Sequence, residues 1–83
     1  MKKPSELKEC EEIHIVRNES RIRIIRDYSQ LHMWVGSTND DAGEYEIQIA
    51  IPGNDEDESI IDDFFDGIIV NNTGLQGFTI EYP

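Results

Sequence analysis

The residues of this chain that can do chemistry are, above all, carboxylates. Every Lys and Arg lies at or before Arg26 (Lys2, Lys3, Lys8, Arg17, Arg21, Arg23 and Arg26). From Asp27 to Pro83 there are thirteen acids and no base, and the formal net charge of the 83 residues is −11. Carboxylates held a few ångströms apart on a folded surface accept charge-assisted, often bidentate hydrogen bonds from Arg and Lys, much as phosphates do. The candidate set comprises Asp40 and Asp41 in a turn-rich loop, Glu44 and Glu46 on a strand, and Asp55, Glu56, Asp57, Glu58, Asp62, Asp63 and Asp66 on a helix. Such a field repels nucleic acid and anionic membrane and attracts basic protein surfaces. An acidic face also keeps a protein soluble. Solubility alone does not call for the loss of every base over so long a stretch.

Other chemistries are weaker. Asp55, Asp57, Ser59, Asp63 and Asp66 fall at the oxygen-ligand positions of a calcium loop. Ile60 stands where that loop needs glycine, Asp66 stands in place of its terminal Glu, and the apolar spacing is that of a helix. Cys10, His14 and His32 lack the close-pair spacing of a zinc site. Acid pairs can act as general acid and base, but acids are so numerous here that pairs carry no information. There is no glycine-rich phosphate loop, nucleophile elbow or metalloprotease motif. Tyr28, Ser29 and His32 are close in sequence, yet strand geometry gives them no reason to converge. The expectation is a binding protein with no catalytic residues, no metal and no cofactor.

The elements that must position these groups follow from periodicity. Ser5 to Glu12 reads as a short N-terminal helix, with Pro4 at its start and Ser5 as its cap. Ile13 to Asn18 and Arg21 to Arg26 alternate as the two strands of a hairpin about Asn18-Glu19-Ser20. Leu31, Met33 and Val35 line one face of a third strand, with His32 and Trp34 on the other. Gly36 to Gly43 reads as a loop. In the fourth strand Tyr45, Ile47, Ile49 and Ile51 point inward, and Glu44, Glu46 and Gln48 point outward. Asp55 to Val70 is the main helix, with Ile60, Ile61, Phe64, Phe65, Ile68 and Ile69 on its apolar half. Asp55 and Glu58 fit an acidic capping box. Gly67 could end this helix early; the preferred reading is one continuous helix closing at Asn71-Asn72-Thr73-Gly74. Phe78, Ile80 and Tyr82 form a last strand.

This order predicts one α+β domain over 1–83, a mainly antiparallel sheet of four to five strands with the main helix on one face. The opposite face carries Val16, Ile25 and Trp34, with His14 and His32 alternating into it. Trp34 is either a satellite core residue or a partner-binding anchor, and a homodimer through this face is conceivable. A single thiol, Cys10, and a basic start with no apolar run behind it point to the cytoplasm.

This profile of a short, acidic, cysteine-poor chain with helix and sheet in this order resembles the phage-encoded inhibitors of host defence. These include the anti-CRISPR proteins and the phage inhibitor of uracil-DNA glycosylase. The likeness is one of architecture and charge, with no shared motif. It implies a non-enzymatic, DNA-mimicking inhibitor in the host cytoplasm whose acids occupy the cationic nucleic-acid channel of a Cas effector. The same charge fits an immunity protein or antitoxin that neutralises a basic nuclease toxin. A small calcium-binding or structural protein is the third reading.

Overall fold

The computed structural model describes residues 2–53, 58–71 and 79–83. The fold is α+β: one five-stranded sheet, one α-helix and a short N-terminal 3-10 turn. The strands are β1 (Glu12–Arg17), β2 (Ser20–Arg26), β3 (Trp34–Asn39), β4 (Tyr45–Ile51) and β5 (Thr79–Glu81); the helix is α1 (Glu58–Asn71). They lie in the order β3-β4-β2-β1-β5. The β1–β2, β1–β5 and β3–β4 pairs are antiparallel, and β2–β4 is parallel.

The parallel pair arises because the chain leaves β2 at Arg26, crosses the end of β4 and descends as β3 at the sheet edge. The crossing is fixed by the Asp27 amide donating to the Ile51 carbonyl at 2.8 Å. The Asp27 carboxylate then accepts from the Ser29 amide, the Ser29 hydroxyl and Gln30 Nε2, which turns the chain and lowers the Asp27 pKa. Residues 27–33 are therefore used in the crossing. The expected third strand begins only at Trp34 and runs through the stretch read as a loop, to Asn39. Leu31 and His32 are exposed outside it.

The alternation expected of β1, β2 and β4 holds. Ile13 and Ile15 of β1 stand opposite Ile24 and Ile22 of β2, which stand beside Ile49 and Ile47 of β4. These isoleucines, joined by Ile51, Leu7, Ile61 and Phe65, make the core on the helix side. Ile80 of β5 extends it opposite Ile15. β-Branched side chains stacked in register across four strands suit a pleated surface buried on one face.

The N-terminal segment departs from expectation. Only Pro4–Glu6 forms a turn of 3-10 helix; Leu7 is already extended and Glu12 opens β1. Pro4 does occupy the first turn, but Ser5 caps nothing there and instead donates its amide and hydroxyl to the Asp62 carboxylate. The longer helix is lost because residues 10 and 11 are drawn to β2. The Cys10 amide donates to the Arg26 carbonyl at 2.8 Å, and the Arg26 amide donates to the Glu11 carbonyl at 3.0 Å. Two residues thus face one, as in a β-bulge, with Cys10 left-handed at φ 68°.

Helix α1 is continuous through Gly67 to Asn71. The expected start at Asp55, its Asp55–Glu58 capping box, the closing Asn72-Thr73-Gly74 and Phe78 lie outside the described residues. Only part of the predicted apolar half is inward. Ile61 and Phe65 are buried, while Ile60 is 60% and Phe64 47% exposed. Asp62 and Asp66 turn toward the N-terminal turn. At ~100° per residue this swings the flank bearing Ile60 and Phe64 outward.

Arg26 is the one buried base, at 3% exposure. Its guanidinium donates to the carbonyls of Leu7 (3.1 Å), Pro52 (2.6 Å) and Ser5 (3.2 Å), tying the N-terminal segment to the ends of β2 and β4. Arg26→Ala leaves these carbonyls without that donor. It is expected to lower unfolding stability by about 3 kcal/mol, read as a shifted urea midpoint, and Arg26→Lys should recover less than half, because an ammonium lacks the planar fork.

Candidate functional site

The two sheet faces differ in kind. The outer face bears Trp34, Gly36 and Thr38 of β3, then Ala50, Gln48 and Glu46, then Ile25, Arg23 and Arg21, then Glu12, His14 and Val16, as the pairing registers place them. Val16, Ile25, Trp34 and His14 thus share a face as expected. His32 does not, since it precedes β3. The N-terminal turn packs on the helix side, so no described element covers this outer face.

Charge on the outer face is largely compensated. Arg21 pairs with Glu46 at 3.1 Å, and Arg23 and His14 both contact Glu12 Oε1. The Arg23 guanidinium is the main cause that holds the Glu12 carboxyl down to about 2. Elsewhere Lys2 pairs with Glu11 and Lys3 with Asp66, each at 3.0 Å.

These contacts divide the expected acidic surface. Glu46 and Asp66 are engaged by Arg21 and Lys3, and Asp62 accepts two hydrogen bonds from Ser5. Reversing the charge of Asp62 and Asp66 would therefore undock the N-terminal turn. Asp63 is exposed on α1. Asp55, Glu56 and Asp57 lie outside the described residues, as does the side chain of Glu58.

Asp40, Asp41 and Glu44 do come together, in the β3–β4 hairpin loop. Asp40 Oδ1 accepts the amides of Ala42 and Glu44, each at 2.9 Å, and Gly43 takes the left-handed conformation at φ 84° that closes the turn. The β1–β2 turn ends at the same edge of the sheet, because Arg17 and Ser20 share a row with Tyr45 and Asn39. It brings Glu19, which the sequence reading did not single out. A hollow of about 350 Å³ lies between the turns, with Glu19, Asp40, Glu44, Tyr45 and Glu46 in its walls. Partial desolvation, then contact with and repulsion from Asp40, then Glu19, push the Glu44 carboxyl up. None of the ion pairs above engages Glu19, Asp40, Asp41, Glu44 or Asp63. Among the described residues no group of His, Cys, Asp and Glu is arranged to hold a metal ion.

Trp34 is half exposed and rests on the outer face, not in a core. Its indole folds back over Gly36, where a Cβ would lie 2.3 Å from a ring carbon. Glycine is thus what lets the ring lie flat along the strand.

Two outcomes follow. The folded Glu12 pKa is depressed, so its pairing contributes fully above the unfolded value and fades as pH falls through about 2. Glu12→Gln should cost roughly 1–3 kcal/mol at pH 7, and the gap to the parent protein should close between pH 5 and pH 2 in denaturation measurements. Gly36→Ala should lift the indole off the strand, read as a red shift of Trp34 fluorescence with the amide spectrum of β1 and β2 unchanged. Compared with known proteins, the chain matches no family model, no curated protein and no solved structure, so its chemistry rests on these residues.

Proposed function

We propose that this chain is a non-catalytic binding protein of the cytoplasm whose hairpin-end carboxylates engage a cationic, nucleic-acid-binding partner protein. The reading that best fits its size and charge is inhibition of a Cas effector, in the manner of anti-CRISPR proteins. One observation carries it. Lys2, Arg23, Arg21 and Lys3 pair with Glu11, Glu12, Glu46 and Asp66, while Glu19, Asp40, Asp41 and Glu44 gather at one end of the sheet, where Glu44 feels its neighbours as like charges. A partner's Arg or Lys brought there gains hydrogen bonds and relieves that repulsion. DNA held in a cationic channel is displaced because both ligands compete for the same bases. Electrostatic steering speeds the encounter, and neutral contacts supply specificity.

The test is displacement of labelled target DNA, followed by fluorescence anisotropy, from a panel of Cas effectors and basic nucleases. The parent protein should displace DNA from at least one Cas effector, less effectively at higher salt. The double variant Asp41→Lys, Glu44→Lys, which spares the turn-closing Asp40, should raise the half-inhibitory concentration more than tenfold with its fold intact. Displacement confined to a basic nuclease would assign an immunity role instead. No displacement anywhere would remove the reading.

A further inference from the structure

The sheet has two edges, and they are unlike. β5 has three residues and carries Glu81; β3 has six, and none is charged, in a chain of net charge −11. Exposed edges are usually blunted by lysine, proline, a bulge or a short strand, because unpaired N–H and C=O groups template another strand. Trp34–Asn39 contains no lysine or proline, pairs continuously with β4 on one side, and has no described strand on the other.

The surface beside this edge is graded along its length. At one end the half-exposed indole of Trp34 lies flat over Gly36. There it walls a shallow groove of about 330 Å³ with Ser37, Thr38, Glu46 and Gln48. Thr38 and Glu46 are shared with the acidic hollow, so the groove leads to Glu19, Asp40 and Glu44 at the other end. An aromatic plate that takes an aliphatic stem or a cation, followed by carboxylates that take the cationic head, is a surface for Lys and Arg side chains. Six residues of strand span ~20 Å, enough for three outward side chains of an added strand to follow this path.

We propose that the open edge of β3 receives an extended segment of the partner protein as a sixth strand, with Lys or Arg side chains laid across Trp34 and toward Glu19, Asp40 and Glu44. Main-chain hydrogen bonds to β3 supply the neutral part of the affinity, and the graded face selects a basic sequence. An acidic segment meets the hairpin carboxylates as like charges. A second copy of this chain brings a net charge of −11 against its own. The proposal rests on the preceding reading in one respect, that the partner is cationic.

The experiment is amide hydrogen exchange by NMR on the full chain with two capped peptides at saturating concentration, one alternating valine with Lys or Arg and one alternating valine with Glu. The basic peptide should slow exchange of the outward amides of residues 34–39 at least tenfold and the acidic peptide should not. Ser37→Lys, which places a charge on the exposed edge, should abolish this protection while leaving the β1 and β2 resonances in place. Shifts confined to the hairpin loop with β3 exchange unchanged would overturn the added strand and leave the acidic-surface reading standing. Equal protection by both peptides would overturn the choice of a basic occupant. Protection of β3 that grows with protein concentration alone would make a second copy the occupant and sink the proposal.

Discussion

A guanidinium buried at the end of β2 holds three segments of this chain at once. Burying the polar guanidinium of Arg26 is tolerable only where hydrogen-bond acceptors such as carbonyl dipoles surround it. The carbonyls of Ser5 and Leu7, from the N-terminal segment, and of Pro52, just past β4, do this. The N-terminal segment is thereby drawn over the core, where Pro4 and Leu7 are buried, instead of continuing as a helix. Once it is there, Ser5 meets Asp62 and Lys3 meets Asp66, which sets the rotation of α1. That rotation in turn buries Ile61 and Phe65 and leaves Ile60 and Phe64 outside.

The confinement of all bases to the first 26 residues acts through the same topology. β2 lies between β1 and β4, so Arg21 and Arg23 reach acids on both sides: Glu46 of β4 and Glu12 of β1. The N-terminal turn reaches α1. The hairpin loop of β3 and β4 lies past the end of β2, and its acids join none of these pairs. That the pairs of Arg21, Arg23 and Lys3 leave these acids aside is therefore a consequence of strand order, beyond what the net charge alone would dictate.

This explains what was legible in the sequence and what was not. The inward isoleucines of β1, β2 and β4 were readable because each strand buries one face, and alternation records that directly. The continuity of α1 through Gly67 was readable from apolar residues on both sides of it. The third strand was misplaced because residues 31–35 alternate by composition while their backbone is consumed in crossing the end of β4. The true strand, Trp34–Asn39, follows Trp34 and Val35 with Gly, Ser, Thr and Asn, at an edge where the inner residues past Val35 need not be apolar. Arg26 entered the sequence reading only as one of the bases and as the end of the second strand; the one hint of its burial, its place in the row of Ile22 and Ile24, becomes informative only when the carbonyls around it are known. In the acidic surface, composition identified the residues but not their partners. Asp62, Asp66 and Glu46 look like Asp40 and Glu44 in sequence and differ only in what the fold sets beside them.

An edge free of charge, with no described strand beside it, ought to be an aggregation hazard, yet β3 runs directly into Asp40 and Asp41. Charges flanking a sticky strand protect it without occupying it, as gatekeeper residues do. At physiological salt, screening acts over ~8 Å. These carboxylates therefore guard mainly the Asn39 end of the strand, and the Trp34 end relies on the bulk of its indole. Protection of this form is selective: it discourages another acidic chain, a second copy included, while leaving the main-chain groups of β3 accessible to a segment of opposite charge. Lysines within the strand would have protected the edge equally well against self-pairing, but they would have closed it to a basic partner. The absence of bases after Arg26 thus leaves β3 without charges that would repel the proposed basic segment.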